Sequence, residues 1–489
     1  MSRTRAALPP ALCLLLLTLS VRSTAEVKDI TIVYTGETHS LVTPCECVVS
    51  KDGGIARRAH ALDRVRRDGF TPTLVLDAGG QFGGTAYDEY TEGPVVDRER
   101  TEVHLAACAD MGYAAYAVGD EELQWGPEFL RRAAEIGAAP FLSANMGEEP
   151  AAASGVERYL ITEVGGVSIG VTAATPQDLY ALGDPRQGLW AQVGDPIEGV
   201  SRVVQEMRDQ VDLVVVLSHL GSDRTRLLAE SVPGVDIFIN AHYRRPGGLI
   251  DRVGDALIGE FNLEARALSQ LDLKVDGRAM AEYRLREIPL DPSVPDDPAQ
   301  AQRVEEWLQR KDTIDAPRLV LDYYTAWGCG YCVEMEPQLR EALRLFGEGR
   351  VELRRWHVVH FDAEAGQFYS TFGPPAIVEA RRELAIQVLY GRDAVARYAS
   401  LRALQPSVEA DTVLQAQGLD PGAVMELAGS DEVATMLLAH ADRARRFMIP
   451  GTPTLYLNNV EYESANATPA LLRTLCWTLP EALRGEACA

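Results

Sequence analysis

An α/β protein built as two successive layered units is predicted by three features of this 489-residue chain. Short aliphatic and β-branched runs alternate with segments of helical spacing over most of its length. One stretch dense in proline and aspartate, IPLDPSVPDDPAQ (288–300), breaks that alternation and cannot continue a strand or a helix. Beyond it the alternation restarts in a new order. A hydrophobic content of 46% suffices for large cores, and the length calls for two or three domains.

The elements follow in chain order. MSRTR, the apolar run AALPPALCLLLLTLS and the small residues of VRSTAEV read as a cleavable export signal, residues 1–25, with cleavage after Ala25. A retained anchor is the alternative; a lipoprotein is disfavoured because Leu12 is too large beside Cys13. The expected location is periplasmic or secreted. Of the eight cysteines, Cys13 falls in the leader, so the remaining odd number leaves at least one thiol outside intrachain disulfides.

From 26 to 290, ITIVYTG, TLVLDAGG, AAYAVGD, VDLVVVLSHLG and VDIFINAH read as buried strands, and GIARRAHALDRVRRDG and SRVVQEMRDQ as helices. YLITEVGGVSIGVTA and LSQLDLKVDGRAMAEYRL read as antiparallel hairpins, which predicts a mixed sheet or pair of sheets. Polar residues gather at the strand exits, where α/β domains build their sites. A linker is expected over 291–313, with a helical lead-in before the next strand. The second domain, 314–489, reads as strand RLVLDYYT, helix YCVEMEPQLREALRLFG, strand VELRRWHVVHFD, a helical insertion with its clearest segment at 375–404, the hairpin GTPTLYLNNVEY and a final helix. A net charge of −24 argues against nucleic acid and anionic membrane as partners, and no stretch after the leader is apolar for long enough to span a membrane.

Cys329 and Cys332 in TAWGCGYCVEM carry the first chemical signal. Zinc would need a second ligand pair, which this domain lacks, and so small a loop gives a weak structural staple. Redox exchange has a physical logic: Cys329 would sit at a helix N-terminus that stabilises a thiolate, with Cys332 one turn inside to resolve a mixed disulfide. Together with GTPTLYLNN, in which Thr452-Pro453 opens an apolar strand, the motif resembles the thioredoxin superfamily, in its periplasmic disulfide oxidase and isomerase branch, over residues 315 to 480. The resemblance implies a thioredoxin-like domain with a helical insertion, Cys329 and Cys332 as catalytic thiols, and Gly330, Tyr331, Thr452 and cis-Pro453 as substrate-binding residues. It further implies no cofactor, and protein thiols or disulfides and a redox protein as partners. No dimerisation domain of the kind isomerases carry is evident. Cys476 and Cys488 bracket the last helix and suit a local disulfide or a second redox pair.

YTGETHS, GGIARRA, LDAGG, VGDEEL, LSHLG and NAHYR, in that order, resemble the metallophosphoesterase domain of the 5′-nucleotidase and UDP-sugar hydrolase family. That implies a layered αββα fold holding two metal ions at the strand exits. The sequence departs from the family where its metals bind: the leading aspartate is Glu37, the bridging aspartate falls on Gly80, the Asn-His pair is Asp120-Glu121, and the last histidine is Arg244. The candidate ligands that remain are Glu37, His39, Asp77, Asp120, His219 and His242, whose donors suit zinc, manganese or iron. The competing reading is a decayed site held by hydrogen bonds and Arg244. Cys45 and Cys47, just after His39, suit a soft metal, a redox pair or a loop disulfide, and Cys108 reads as core. The expectation is an exported thiol-disulfide oxidoreductase (oxidase, isomerase or reductase) fused to a degenerate metallophosphoesterase domain that binds a metal, ligand or client. The alternatives are a phosphoester hydrolase with an altered metal site and a non-catalytic thiol- or metal-binding module.

Overall fold

The computed structural model describes residues 27–45, 50–69, 71–243, 249–347, 349–462, 468–479, 481, 484 and 488. The expected leader, Cys47 and Arg244 lie outside the described residues.

Alternation at period two explains the first unit. In the strand Leu213–Ser218, Leu213, Val215 and Leu217 face an inter-sheet core with Ile30, Ile32, Leu74 and Leu76, whereas Val214 and Val216 pack outward against the helix Pro196–Met207. Two six-stranded sheets result. In the first, Lys28–Thr35, Thr73–Asp77, Ala115–Ala117 and Phe141–Leu142 run parallel, and the hairpin Ala267–Asp276/Ala279–Pro289 adds an antiparallel edge. In the second, Val167–Ala174, Leu213–Ser218, Ile237–Asn240 and Ala256–Glu260 run parallel between antiparallel edge strands. Helices cover the outer faces, so the first unit is mixed α/β in four layers, as its alternating and hairpin segments predict.

The segment expected as a linker with a helical lead-in contains one helix. Residues Pro298–Lys311 form a helix, capped by Asp297, whose carboxylate accepts from Gln300 N at 3.0 Å. Proline is tolerated there because the first helical turn needs no N–H from it. Trp307 of this helix is buried in the first unit's core, a contribution of about 3 kcal/mol by side-chain burial. The segment is therefore a docked strap.

The last sheet has four strands in the order Val351–His357, Leu319–Thr325, Thr454–Leu457 and Val460–Glu461, the first pair parallel and the others antiparallel. The helix Gly330–Phe346 and the helix Thr468–Thr478 share a core on one face through Met335, Leu339, Leu471 and Leu475. The clearest helical segment, 375–404, consists of two helices, Pro374–Tyr390 and Arg392–Leu404, parted at Gly391, whose φ is 84°. A hairpin at His360–Asp362/Gln367–Tyr369 was not foreseen because each strand has only three residues. Disulfides join Cys329 to Cys332 and Cys476 to Cys488, and the Thr452-Pro453 peptide is cis. No helix among the described residues is long and apolar enough to cross a membrane.

The second sheet-and-helix unit is bolted onto two loops of the first. Asn459 donates to Thr85 O (2.7 Å) and Asp88 O (2.6 Å), and Arg443 donates to Tyr180 O (3.0 Å) and Leu182 O (3.4 Å). Arg392 lies between Glu352, with which it is ion-paired, and Asp184 at 3.9 Å. Burial opposes ionisation of Glu352, but the charges of Arg354 and Arg392 outweigh it and push its pKa down to about 2. A carboxylate depressed in the folded state stabilises above its unfolded pKa of about 4.3 and loses that contribution as pH falls towards the folded value. Thermal midpoints should therefore fall between about pH 5 and pH 2, and Glu352→Gln should flatten that slope in a calorimetric series.

Candidate metal centre

Every group in this centre hangs from a strand exit of the first unit. Glu37 and His39 follow Lys28–Thr35, Gly79 and Gly80 follow Thr73–Asp77, Asp120 and Glu121 follow Ala115–Ala117, His219 follows Leu213–Ser218, and His242 follows Ile237–Asn240. Parallel strands point these exits the same way, so residues far apart in sequence meet. One donor atom each from Glu37, Glu121, His219 and His242 lies within 4.8 Å of the others. His219 Nε2 is 3.0 Å from Glu121 Oε2, 3.3 Å from Glu37 Oε1 and 3.6 Å from Asp120 Oδ1. His242 Nδ1 is 3.6 Å from Asp120 Oδ1.

Three glycines make the room. A Cβ on Gly79 would meet His219 Nδ1 at 2.5 Å, and one on Gly119 would meet its Nε2 at 2.6 Å, so the imidazole lies in a slot between two bare backbones. A Cβ on Gly80 would lie 2.6 Å from Glu37 Oε1. The longer acid at position 37 thus fills the space left by the missing side chain at position 80. Glu122 ties the slot together, accepting from Gly119 N (2.7 Å), Gln81 N (2.7 Å) and Gly80 N (3.3 Å).

The donors are pre-aimed. His219 Nδ1 donates to Ala78 O at 2.9 Å, which fixes the tautomer and leaves Nε2 facing the carboxylates. His242 N donates to Glu37 Oε1 at 2.8 Å, and the His242 ring is hydrogen-bonded through Nε2 to the Tyr180 hydroxyl. His39 Nε2 donates to Glu37 Oε2 at 3.1 Å. Burial lowers the pKa of His39, but its hydrogen bond to Glu37 and the charges of Glu37 and Glu121 outweigh this and raise it to about 9. For His219 burial likewise lowers the pKa, and the charges of Glu121 and Glu37 override it, holding it well above the ordinary range. Burial pushes His242 down to about 3 and raises Asp120, the latter with help from Glu121.

These residues fit a divalent ion. Both oxygens of Asp120 and of Glu121, Nε2 of His219 and Nδ1 of His242 are buried without a hydrogen-bond partner. Burying several carboxylates and imidazole lone pairs together is costly unless a cation satisfies them, and mixed oxygen and nitrogen donors suit zinc, manganese or iron.

Of the predicted ligands, Glu37, His39, Asp120, His219 and His242 come together. Asp77 does not join them: its carboxylate accepts from Thr35 Oγ1 (2.6 Å) and Gly79 N (2.8 Å), a structural role. Glu121 is not among the predicted ligands, because in the sequence it stands where the family pattern has a histidine, and only its place 3.0 Å from His219 returns it to the centre. Cys45 is buried with its thiol donating to Ser50 O at 3.2 Å, and is not one of the four converging donors. Cys108 is buried in the core. In the second unit Cys329 Sγ lies 3.3 Å from Thr452 O, and Tyr331 is exposed.

A roof closes the centre. Tyr180 and Tyr87 stand edge to face at 6.2 Å, Tyr87 packs on Phe447 of the second unit at 5.1 Å, and Arg446 lies 5.1 Å over the Tyr180 ring. His242, the least buried of the converging donors, is only 6% exposed.

The N-terminal part, an αββα arrangement with buried acids and histidines at its strand exits, resembles the 5′-nucleotidase and metallophosphoesterase family. Its sequence is 30% identical to a 5′-nucleotidase of Diplobatis ommata over 226 residues, 44% of this chain and 37% of the relative. A Bos taurus 5′-nucleotidase is also 30% identical, over 255 residues, 48% of this chain and 42% of the relative. The chain therefore spans about two fifths of the length of these curated relatives. The crystal structure of a 5′-nucleotidase precursor from Thermus thermophilus shares the fold with a TM-score of 0.50 and 22% identity, covering 65% of this chain and 67% of that one. No family model matches the chain. These similarities correct the leading functional expectation: they favour the nucleotidase-like hydrolase given as the alternative, and not a thiol-disulfide oxidoreductase.

Proposed function

We propose that the first unit is a metal-dependent phosphoester hydrolase of nucleotidase type working with an altered, single-ion site. The observation that carries this reading is the convergence of four buried donors, from Glu37, Glu121, His219 and His242, within 4.8 Å. A divalent ion held by these four would polarise a phosphoryl oxygen and stabilise the charge that develops there. The chain's own groups orient the site. Ala78 O holds His219, Tyr180 and the Glu37 carboxylate hold His242, and His39 braces Glu37. A phosphate monoester can reach the donors only if the roof of Tyr87, Tyr180 and Phe447 parts, because the ligand set is buried.

Further parts of the proposal are export of the chain, a division into domains at about 26–290 and 314–489, and a thioredoxin-like fold for the second domain. The fold proposal is supported by the parallel Val351–His357/Leu319–Thr325 pair beside antiparallel Thr454–Leu457 and by Cys329 at a helix start. In this reading the second domain serves as the roof of the first.

The test is phosphate release from a nucleoside 5′-monophosphate and from p-nitrophenyl phosphate by the full chain, stripped by chelator and reloaded with zinc, manganese or iron. Activity restored by one ion, and lowered about 10- to 100-fold in kcat/KM by Glu121→Gln, is expected for loss of one ligand charge. An ion bound at one per chain without hydrolysis of either ester would instead establish a non-catalytic metal-binding module.

A further inference from the structure

Remote from the buried centre, the helices Gly330–Phe346 and Arg392–Leu404 frame a groove of about 440 Å³ over the strand Val351–His357. Its size falls in the range of small-ligand sites, about 300–1,000 Å³. Leu339, Leu343, Leu353 and Val395 give it an apolar floor. The lining reverses the sign of the whole molecule. Five guanidinium groups (Arg340, Arg344, Arg355, Arg392 and Arg397) line it against three carboxylates (Glu336, Glu352 and Asp393), an excess of two positive charges in a chain of net charge −24.

Most of these charges are spent locally. Arg355 forks onto Glu336, with Nη1 to Oε1 at 2.9 Å. Arg392 pairs with Glu352, and Arg344 donates to Glu341 at 2.6 and 2.8 Å. Arg340 and Arg397 have neither a hydrogen bond nor an ion pair among the described residues. Two buried polar atoms on the lining, Ser400 Oγ and Arg355 Nε, also lack partners. Neither atom opens onto the groove, so the charge free to meet a ligand is that of Arg340 and Arg397.

We propose that this groove binds a small amphiphilic anion, with a carboxylate or sulfonate head paired by Arg340 and Arg397 and an apolar body lying on Leu339, Leu343 and Val395. A cation would find Asp393 as its sole unpaired acid among the described lining residues and would face both free guanidinium groups. The inference stands independently of the metal centre.

The experiment uses the full chain and the fluorescent anion 8-anilinonaphthalene-1-sulfonate, competed by decanoate or by decyltrimethylammonium, with decanoate binding followed in parallel by calorimetry. Saturable binding near one per chain, displaced by decanoate and not by the cation, is expected. Arg340→Ala with Arg397→Ala should weaken it about tenfold or more, the equivalent of one charge-assisted hydrogen bond. Both side chains are exposed, so this variant should keep the wild-type fold, checked by its circular dichroism and unfolding midpoint. Arg397→Glu alone should weaken decanoate in calorimetry as well. Binding that never saturates, that the cation displaces equally, or that the double variant leaves unchanged would overturn the proposal, and preference for an acidic peptide over decanoate would assign the groove to a protein partner instead.

Discussion

Replacing Gly119 by alanine is expected to disable the metal centre about as completely as removing His219 itself. Unlike Gly79 and Gly80, which have positive φ, Gly119 adopts a backbone conformation open to any residue, so the effect is steric. The new methyl would stand 2.6 Å from His219 Nε2 and 2.7 Å from Cδ2, where no carbon can sit. Retreat of the ring towards Gly79 is opposed by the hydrogen bond that ties its Nδ1 to Ala78 O. It must rotate, and Nε2 then leaves Glu37 and Glu121. Titration of manganese or zinc into stripped protein should show affinity reduced by about 10- to 100-fold in both Gly119→Ala and His219→Ala, the loss that follows when a ligand is no longer aimed at its ion. Stability should fall by only about 1–3 kcal/mol, the usual cost of overpacking. Wild-type affinity in the alanine variant would mean that His219 is not a ligand in this slot.

That slot shows what the sequence can and cannot disclose. LSHLG and LDAGG mark His219 and the glycines as strand-exit residues, and the strands themselves are legible because Leu213, Val215 and Leu217 alternate with Val214 and Val216. What no local pattern states is that the acid at 37 and the glycine at 80 are one arrangement, with the Glu37 carboxylate filling the space above Gly80. They look like two separate losses until both strands are seen to end side by side. Glu121 is hidden for the same reason. It departs from a familiar pair, and only the tertiary position of its carboxylate, 3.0 Å from His219, returns it to the centre. Over Pro298–Lys311 a helical lead-in is legible in the sequence, whereas its docking is not, because that rests on Trp307 finding a core in the first unit. The CGYC motif was legible as a helix-start disulfide and misleading as to function, since thiol chemistry at a helix N-terminus carries no information about a centre on another sheet.

The second large effect is expected from Arg443→Ala, which should both destabilise the second unit and unseal the first. Arg443 is buried on the Trp356 ring at 3.9 Å, its Nη2 3.3 Å from Asp322, its Nε donating to Tyr324 OH at 2.9 Å, and its Nη1 reaching across to Tyr180 O. Asp322 is fully buried and its Oδ2 has no hydrogen-bond partner, so loss of the guanidinium strands a carboxylate inside the protein. Leaving a buried charge unpaired costs about 3–5 kcal/mol. Lysine cannot rescue the position, because one ammonium cannot satisfy a carboxylate, a phenol and two carbonyls while lying flat on an indole. Asp322→Asn combined with Arg443→Met should recover much of the stability by removing the stranded charge, yet it should not restore the tie to Tyr180. The two consequences are thereby separable. Denaturant midpoints report the first, and the rate at which a chelator strips the ion reports the second. Both Arg443→Ala and the double variant should lose the ion faster, because the Tyr180 loop, which also holds His242, is no longer pinned from above. Unchanged stripping in the double variant would show that the roof is held by Asn459, Arg446 and Phe447 without Arg443, and that the coupling between the two units runs through those contacts alone.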